Sequence, residues 1–274
     1  MKALARHPTL LLGGLVTLLL LATAFLSRVW TPAPPTQIQI TRRLAPPLEA
    51  GLLGADHFGR DIASLLMAGA WNSLSIAFVA VLLGMAGGVL LGTLAAAWRG
   101  WAEEIVMRLA DVTFAFPAVL SAIMIAALIG PGVTTAVIAI GVFNVPVFAR
   151  VARSAALQIW ERDFVLAARS AGKGALLITF HHVLPNIAGL LIVQATIQLA
   201  MAILAEAGLS FLGVGVPPPH PSWGRMLSDS QTYLSQAPHL AILPGLAIAL
   251  AVLGLNMLGD GLRDVIDPKL RRKR

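Results

Sequence analysis

The chain has 274 residues, of which 57% are hydrophobic and only 12% charged, with a formal net charge of +7 and a mean hydropathy of +0.81. Soluble domains carry about 25% charged residues, so this composition excludes a water-soluble enzyme or binding module and describes one integral membrane domain. There is no cysteine, which removes disulfides, thiolate metal sites and a cysteine nucleophile.

Crossing about 30 Å of hydrocarbon takes roughly 20 apolar residues, and six stretches qualify: 9–27, 73–97, 112–130, 133–153, 187–212 and 240–259. Helices are required, because an open strand leaves backbone groups unpaired in lipid and the alternation of a barrel is absent. The first stretch follows Lys2 and Arg6 and contains a signal-like Ala22-Thr23-Ala24, but its apolar run is longer than a signal core, and it is read as a span. The proline-rich segment from Thr31 to Asp61 reads as an external loop, with a short surface helix expected over 60–71. The organisation expected is an N-terminal helix and external loop over 1–72 and a transmembrane domain over 73–274. Within the second span, Gly84, Gly87, Gly88 and Gly92 include small pairs at i, i+4, the pattern of close helix packing. The third and fourth spans meet at Gly130-Pro131-Gly132, a tight helical hairpin. Pro146 in the fourth span is expected to kink its helix, for gating or for packing.

Between the fourth and fifth spans lies a charged cassette, Arg162–Asn186, that interrupts an oily chain. A helix is expected over 156–171, with Phe164, Ala168, Ala171 and Ala175 on one face of mostly small side chains. Gly172-Lys173-Gly174 breaks it, a second short helix runs to His182, and Pro185 falls in the first turn of the fifth span. An amphipathic loop resting on lipid is the plainer reading. Placing this cassette on the cytoplasmic side, with both termini, puts Lys and Arg there near the start, at 99–108, at 150–173 and after 262, leaving Arg28, Arg42, Arg43, Arg60 and Arg225 outside. That is the positive-inside pattern, and it accounts for the net charge without a nucleic-acid partner.

Polar residues inside spans point to function or to helix pairing. Gln194, Gln198, Ala202 and Glu206 recur every four residues in the fifth span as one stripe, which either lines a hydrated path or bonds to a neighbouring helix. Asn144 on the fourth span and Asn256 on the sixth take the same two readings. Glu206, near the outer end, is as suited to a structural role as to a substrate contact. The second external segment runs from Gly213 to Pro238, and its prolines from Pro217 to Pro221 are expected to set Trp223 at the membrane interface; contact with an external receptor or closure of an outer gate, through Pro217, Trp223 and Arg225, is the functional reading. No phosphate-binding loop, zinc-protease motif or nucleophile elbow occurs, and adjacent His181 and His182 cannot both face one metal ion from a regular helix. No catalytic, cofactor or metal site is therefore assigned.

Ala167, Ala168 and Gly172, followed by Leu184 and Pro185, resemble in spacing the "EAA" loop of permease subunits of bacterial ABC importers. The stretches 53–74, 114–120, 148–157, 202–227 and 244–268 extend the resemblance through most of the chain, to the second permease of dipeptide and oligopeptide importers, whose relatives carry nickel, glutathione and opines. The resemblance implies an all-α membrane protein of the type I importer fold in the bacterial inner membrane. It implies a coupling loop at about 156–185, in which Phe164, Ala167, Ala168, Ala171, Gly172, Leu184 and Pro185 meet an ATPase. The implied partners are a homologous second permease, two ABC ATPase subunits holding ATP and magnesium, and a solute-binding protein. Leu166 stands where that loop often has glutamate and His182 where isoleucine is common, although the peptide branch frequently has histidine there. A secondary transporter, a channel or a membrane scaffold without an ATPase is the alternative class; it gives no reason for a docking cassette.

Overall fold

The computed structural model describes residues 8–266. Lys2, Arg6 and the basic tail after Ile266, on which part of the orientation reading rests, lie outside the described residues. Among the described residues the secondary structure is helical: α1 (Pro8–Leu26), α2 (Ile62–Trp98), α3 (Trp101–Ala115), α4 (Ala118–Ile129), α5 (Val133–Trp160), α6 (Asp163–Ser170), α7 (Ala175–Ile178), α8 (Leu184–Phe211), α9 (Trp223–Ser230) and α10 (His239–Ile266). Their outward faces carry Leu, Ile, Val and Phe side chains open to the surroundings, as suits helices whose solvent is lipid.

The inner seam is α2 against α5. A Cβ on Gly84 would collide with Asn144, on Gly88 with the Val145 carbonyl and Phe148, and on Gly92 with the Ala149 backbone. These three glycines let the two backbones touch, and Ala80, Ala149, Ala152 and Ala156 continue the small-residue contact in full burial. The same device seats α1 on α10, where Gly13, Gly254 and Gly261 each leave no room for a side chain. α1 is otherwise peripheral, with most of its leucines exposed.

Three boundaries differ from the sequence expectation. First, α2 begins at Ile62 and runs unbroken for 37 residues, so no separate surface helix occupies 60–71. Asp61 caps it, accepting from the Ser64 amide at 2.8 Å, and the preceding turn is closed by Asp56, which accepts from the amides of Phe58 and Arg60 and pairs with the Arg60 guanidinium at 2.6 Å. Second, the span expected at 112–130 is broken: α3 and α4 meet at 89° at Phe116-Pro117. Proline forces the preceding residue out of the helical region, and Phe116 is extended at φ −96°, ψ 134°. At 1.5 Å per residue the 12 residues of α4 reach about 18 Å, too short to cross alone. The described residues thus hold five helices long enough to span, or six spans if the bent pair is one. α5 carries Pro146 within one helix, where the Ile140 carbonyl accepts from Asn144 Nδ2 at 2.8 Å.

The third concerns the cassette. Residues 156–160 complete α5, and the chain turns at Glu161-Arg162 before α6. α7 then continues into α8 through one π-turn at Thr179–Val183, so that Ala175–Phe211 is a single apolar rod of 37 residues. Pro185 has no N–H to extend the ladder, and the turn before it widens, with the Leu184 amide reaching the Thr179 carbonyl. The expected break between the short helix and the fifth span is absent.

Candidate functional site: the cassette, the groove and the outer latch

α6 has three faces. Val165 and Ala168 are buried against the body, at 0% and 8% exposure, in the same core cluster as Ile178 and Val183. Phe164, Ala167 and Ala171 are exposed together, and Leu166 and Arg169 point to a third side. Ala168 therefore seats the cassette instead of belonging to its free face, correcting the grouping of Phe164, Ala168, Ala171 and Ala175. The helix ends in a paired turn: the Gly172 amide bonds to the Arg169 carbonyl at 2.9 Å and the Lys173 amide to the Ala168 carbonyl at 3.1 Å. Such a turn requires a left-handed residue, and Gly172 supplies it at φ +80°. His182 lies near Phe164, with ring centroids 6.2 Å apart, and its Nε2 is 3.4 Å from Lys173 Nζ. Leu184 is half-buried and Pro185 exposed, both on the rod beyond the turn.

The stripe on α8 divides. A residue every four positions gains about 40° per step on a helix of 3.6 residues per turn, so Gln194 and Glu206 end about 120° apart. Gln198 and Ala202 line an open groove of about 340 Å³ between α4, α5 and α8, together with Asn144, Phe143 and Met201. Gln194 is half-buried outside that groove, and Asn256 is exposed on α10, away from it. Glu206 faces the interior at 0% exposure, where Ser210 Oγ donates to its Oε1 at 2.6 Å.

That buried corner holds the outer segment. Ser210 Oγ also accepts from the Val216 amide at 3.0 Å, tying the end of α8 to the loop after it. Trp223, expected at the membrane interface or against a receptor, is 1% exposed. Its Nε1 donates to the Leu66 carbonyl at 3.1 Å, its ring packs over Gly69, and its amide reaches Ser73 Oγ at 3.3 Å. A side chain so enclosed cannot be a receptor contact; it locks α9 onto α2. Asn72 adds a bond from Nδ2 to the Pro221 carbonyl at 2.6 Å. Pro217 stays exposed, and Arg225 pairs with Asp229 at 3.0 Å. Ser73, Asn72 and Ser210 were not singled out from sequence, because single polar residues in apolar helices carry no partner information. Alongside, His57 stacks on Tyr233 at 5.3 Å; burial lowers its imidazole below the ordinary 6.5, Arg60 and Arg43 push the same way, and Asp56 and Asp229 oppose.

Long apolar rods joined by glycine seams, with a charged helix and turn at one end, define a polytopic helical membrane protein. The family model described as binding-protein-dependent transport system inner membrane component matches residues 88–272, and the chain belongs to this family. It is 44% identical to the di/tripeptide transport system permease protein DppC of Pseudomonas aeruginosa, over 95% of this chain and 88% of that one. It is 42% identical to the glutathione transport system permease protein GsiD of Pectobacterium atrosepticum (94% and 86%), and 39% to the dipeptide transport system permease protein DppC of Alkalihalophilus pseudofirmus (98% and 89%). Among solved structures, an inward-facing MetNI methionine ABC transporter chain superposes with a TM-score of 0.63 at 22% identity, covering 74% of this chain and 97% of that one. The protein has the type I ABC importer permease fold and is a permease subunit of an inner-membrane ABC importer.

Proposed function

We propose that this permease forms half of a pore for ATP-driven uptake of di- and oligopeptides, the other half being a homologous permease. The observation that carries the substrate is 44% identity to a di/tripeptide permease across nearly the whole chain. Of two ATPase subunits holding ATP and magnesium, one docks on the exposed α6 face of Phe164, Ala167 and Ala171, with Gly172 holding the turn, and the other on the partner permease; Leu184 and Pro185 carry the motion into α8. A solute-binding protein delivers substrate to the opposite side, and both termini are cytoplasmic. The path runs along the groove lined by Asn144 and Gln198, whose amides can bond to peptide groups while the apolar walls accept varied side chains. Glutathione uptake is the second reading, favoured by 42% identity to a glutathione permease. The test is reconstitution of the chain with its partner subunits in vesicles and measurement of ATP-dependent accumulation of labelled dipeptide and of glutathione. Dipeptide accumulation supports the proposal, glutathione alone overturns the substrate, and no ATP-dependent uptake of either overturns the function.

A further inference from the structure

Among the described residues, no ionisable side chain lines the groove between α4, α5 and α8; its hydrogen-bonding side chains are Asn144 and Gln198, and alanines such as Ala139 and Ala205 keep its walls small. The two amides stand at one depth. The Gly132 amide bonds to the Val214 carbonyl at 3.2 Å, so the hairpin before α5 and the far end of α8 lie together. At 1.5 Å per residue, Asn144 is about 17 Å along α5 from that end and Gln198 about 20 Å along α8, near the middle of about 30 Å of hydrocarbon. Polar side chains at that level are costly to hold and mark substrate pathways.

Asn144 is the rigid member of the pair. Its amide folds back on its own helix, and the atom 2.8 Å from the Ile140 carbonyl has to be Nδ2, since a carbonyl oxygen only accepts. That fixes the orientation of the whole group. Oδ1 receives no bond from a described residue and is not sealed in the interior, so it opens to the groove that Asn144 borders. Gly84 preserves the seat, because a Cβ there would run into the Asn144 Cβ. Gln198, half-buried on α8, has a longer side chain and can turn either end of its amide to a partner.

We infer that Asn144 Oδ1 is the fixed acceptor for the N–H of a peptide link in transit, so that this groove recognises the neutral backbone of the substrate and neither its charged termini nor its side chains. The inference rests on the groove being the path. An acceptor that cannot turn into a donor discriminates by chemistry. An amide N–H completes the bond, whereas an ester oxygen in the same place sets its lone pairs against Oδ1 and leaves the acceptor unanswered. A charged terminus finds no counter-ion in the lining, and the alanine walls leave room for different side chains.

The test uses the intact transporter with its solute-binding protein in vesicles and compares the maximal rates of ATP-dependent uptake of labelled alanyl-alanine and of alanyl-lactic acid, the ester in which oxygen replaces the peptide N–H. Both are supplied at concentrations that saturate the binding protein. Wild type is expected to move the amide about threefold to tenfold faster than the ester. Asn144→Ala removes the acceptor and should bring that ratio to about one. Asn144→Thr controls for structure: its hydroxyl can still donate to the Ile140 carbonyl, as Thr93 does to Val89 at 2.7 Å and Thr179 to Ala175 at 2.9 Å, but its oxygen is drawn back to the helix. In this variant the ratio should also fall, with melting temperature and ATPase association at wild-type values. If Asn144→Ala fails to assemble, Asn144→Thr decides alone. The binding protein is the same throughout, so a ratio that changes with residue 144 belongs to the permease. A wild-type ratio of about one, or the wild-type preference kept by either assembled variant, overturns the inference and leaves peptide import standing. Uptake of neither compound by wild type overturns the import reading itself, and the inference with it.

Discussion

Gly172 allows conformation to be separated from contact. Its φ is +80°, and an added Cβ would meet nothing within 4 Å, so a side chain there has space and the whole cost is backbone strain. An ordinary L-residue in the left-handed region costs about 1–2 kcal/mol, and a β-branched one more. If the turn relaxes instead, the Lys173 amide loses the Ala168 carbonyl, at about 1 kcal/mol. One to two kcal/mol is a factor of about 5–30 in the population of the formed turn. Asparagine tolerates this region better than alanine does. The series Gly172→Asn, Gly172→Ala and Gly172→Val should therefore weaken coupling in that order, although asparagine and valine are of comparable bulk. Co-purification of the ATPase subunits and substrate-stimulated hydrolysis in vesicles provide the readout. Valine behaving like wild type would refute the conformational argument, and so would asparagine and valine being equally damaging, since bulk against a partner would then decide.

Two other substitutions probe the outer latch and the groove. Trp223→Ala empties a fully enclosed site and is expected to cost about 3–5 kcal/mol, whereas Trp223→Phe keeps most of the packing and loses the bond to Leu66, about 1 kcal/mol; thermal melting of the purified transporter distinguishes them, and equal melting of Trp223→Ala and wild type would show that the lock carries no load. Gln198→Leu removes an amide from the groove and is expected to reduce peptide uptake about tenfold with assembly intact, the equivalent of one polar contact, while Gln194→Leu, outside the groove, leaves uptake unchanged; the reverse ranking would move the path to another face of α8.

The residues explain what was readable in advance. Gly84, Gly88 and Gly92 announced a seam because close packing leaves a local pattern of small side chains, and the hairpin at Gly130–Gly132 announced itself through turn chemistry. The break at Pro117 was hidden because an apolar window averages hydropathy and is blind to backbone geometry: Val112 to Ile129 is oily on both sides of a right-angled bend. Ala168 and Ala171 are alike as letters, and only the packing of the folded chain decides that one joins the core and the other stays free. The stripe on α8 misled for a different reason. Period four is not the helix period, and over twelve residues the drift carried Glu206 out of the groove and into the latch.

The latch and the seam also decide which parts can move together. Ala175–Phe211 is about 55 Å long, so a tilt of about 10° about its cassette end displaces the outer end by about 9–10 Å. At that outer end Gly224 touches the Ala207 backbone, and α9 must follow α8. α9 is bonded in turn to α2 through Leu66, Ser73 and Asn72, and displacing α8 without α2 would break all three bonds and uncover Trp223. α2 is joined to α5 at Gly84, Gly88 and Gly92, where a sliding motion would drive Val145 and Ala149 into backbone. Interfaces packed this closely do not deform continuously. Under the proposed function, a push on Ala167 and Ala171 therefore moves α2, α5, α8 and α9 as one body. Under the same proposal the surface that opens and closes is the α4 wall of the groove, opposite Asn144 and Gln198, and no helix of the α2–α5–α8–α9 core has to rearrange.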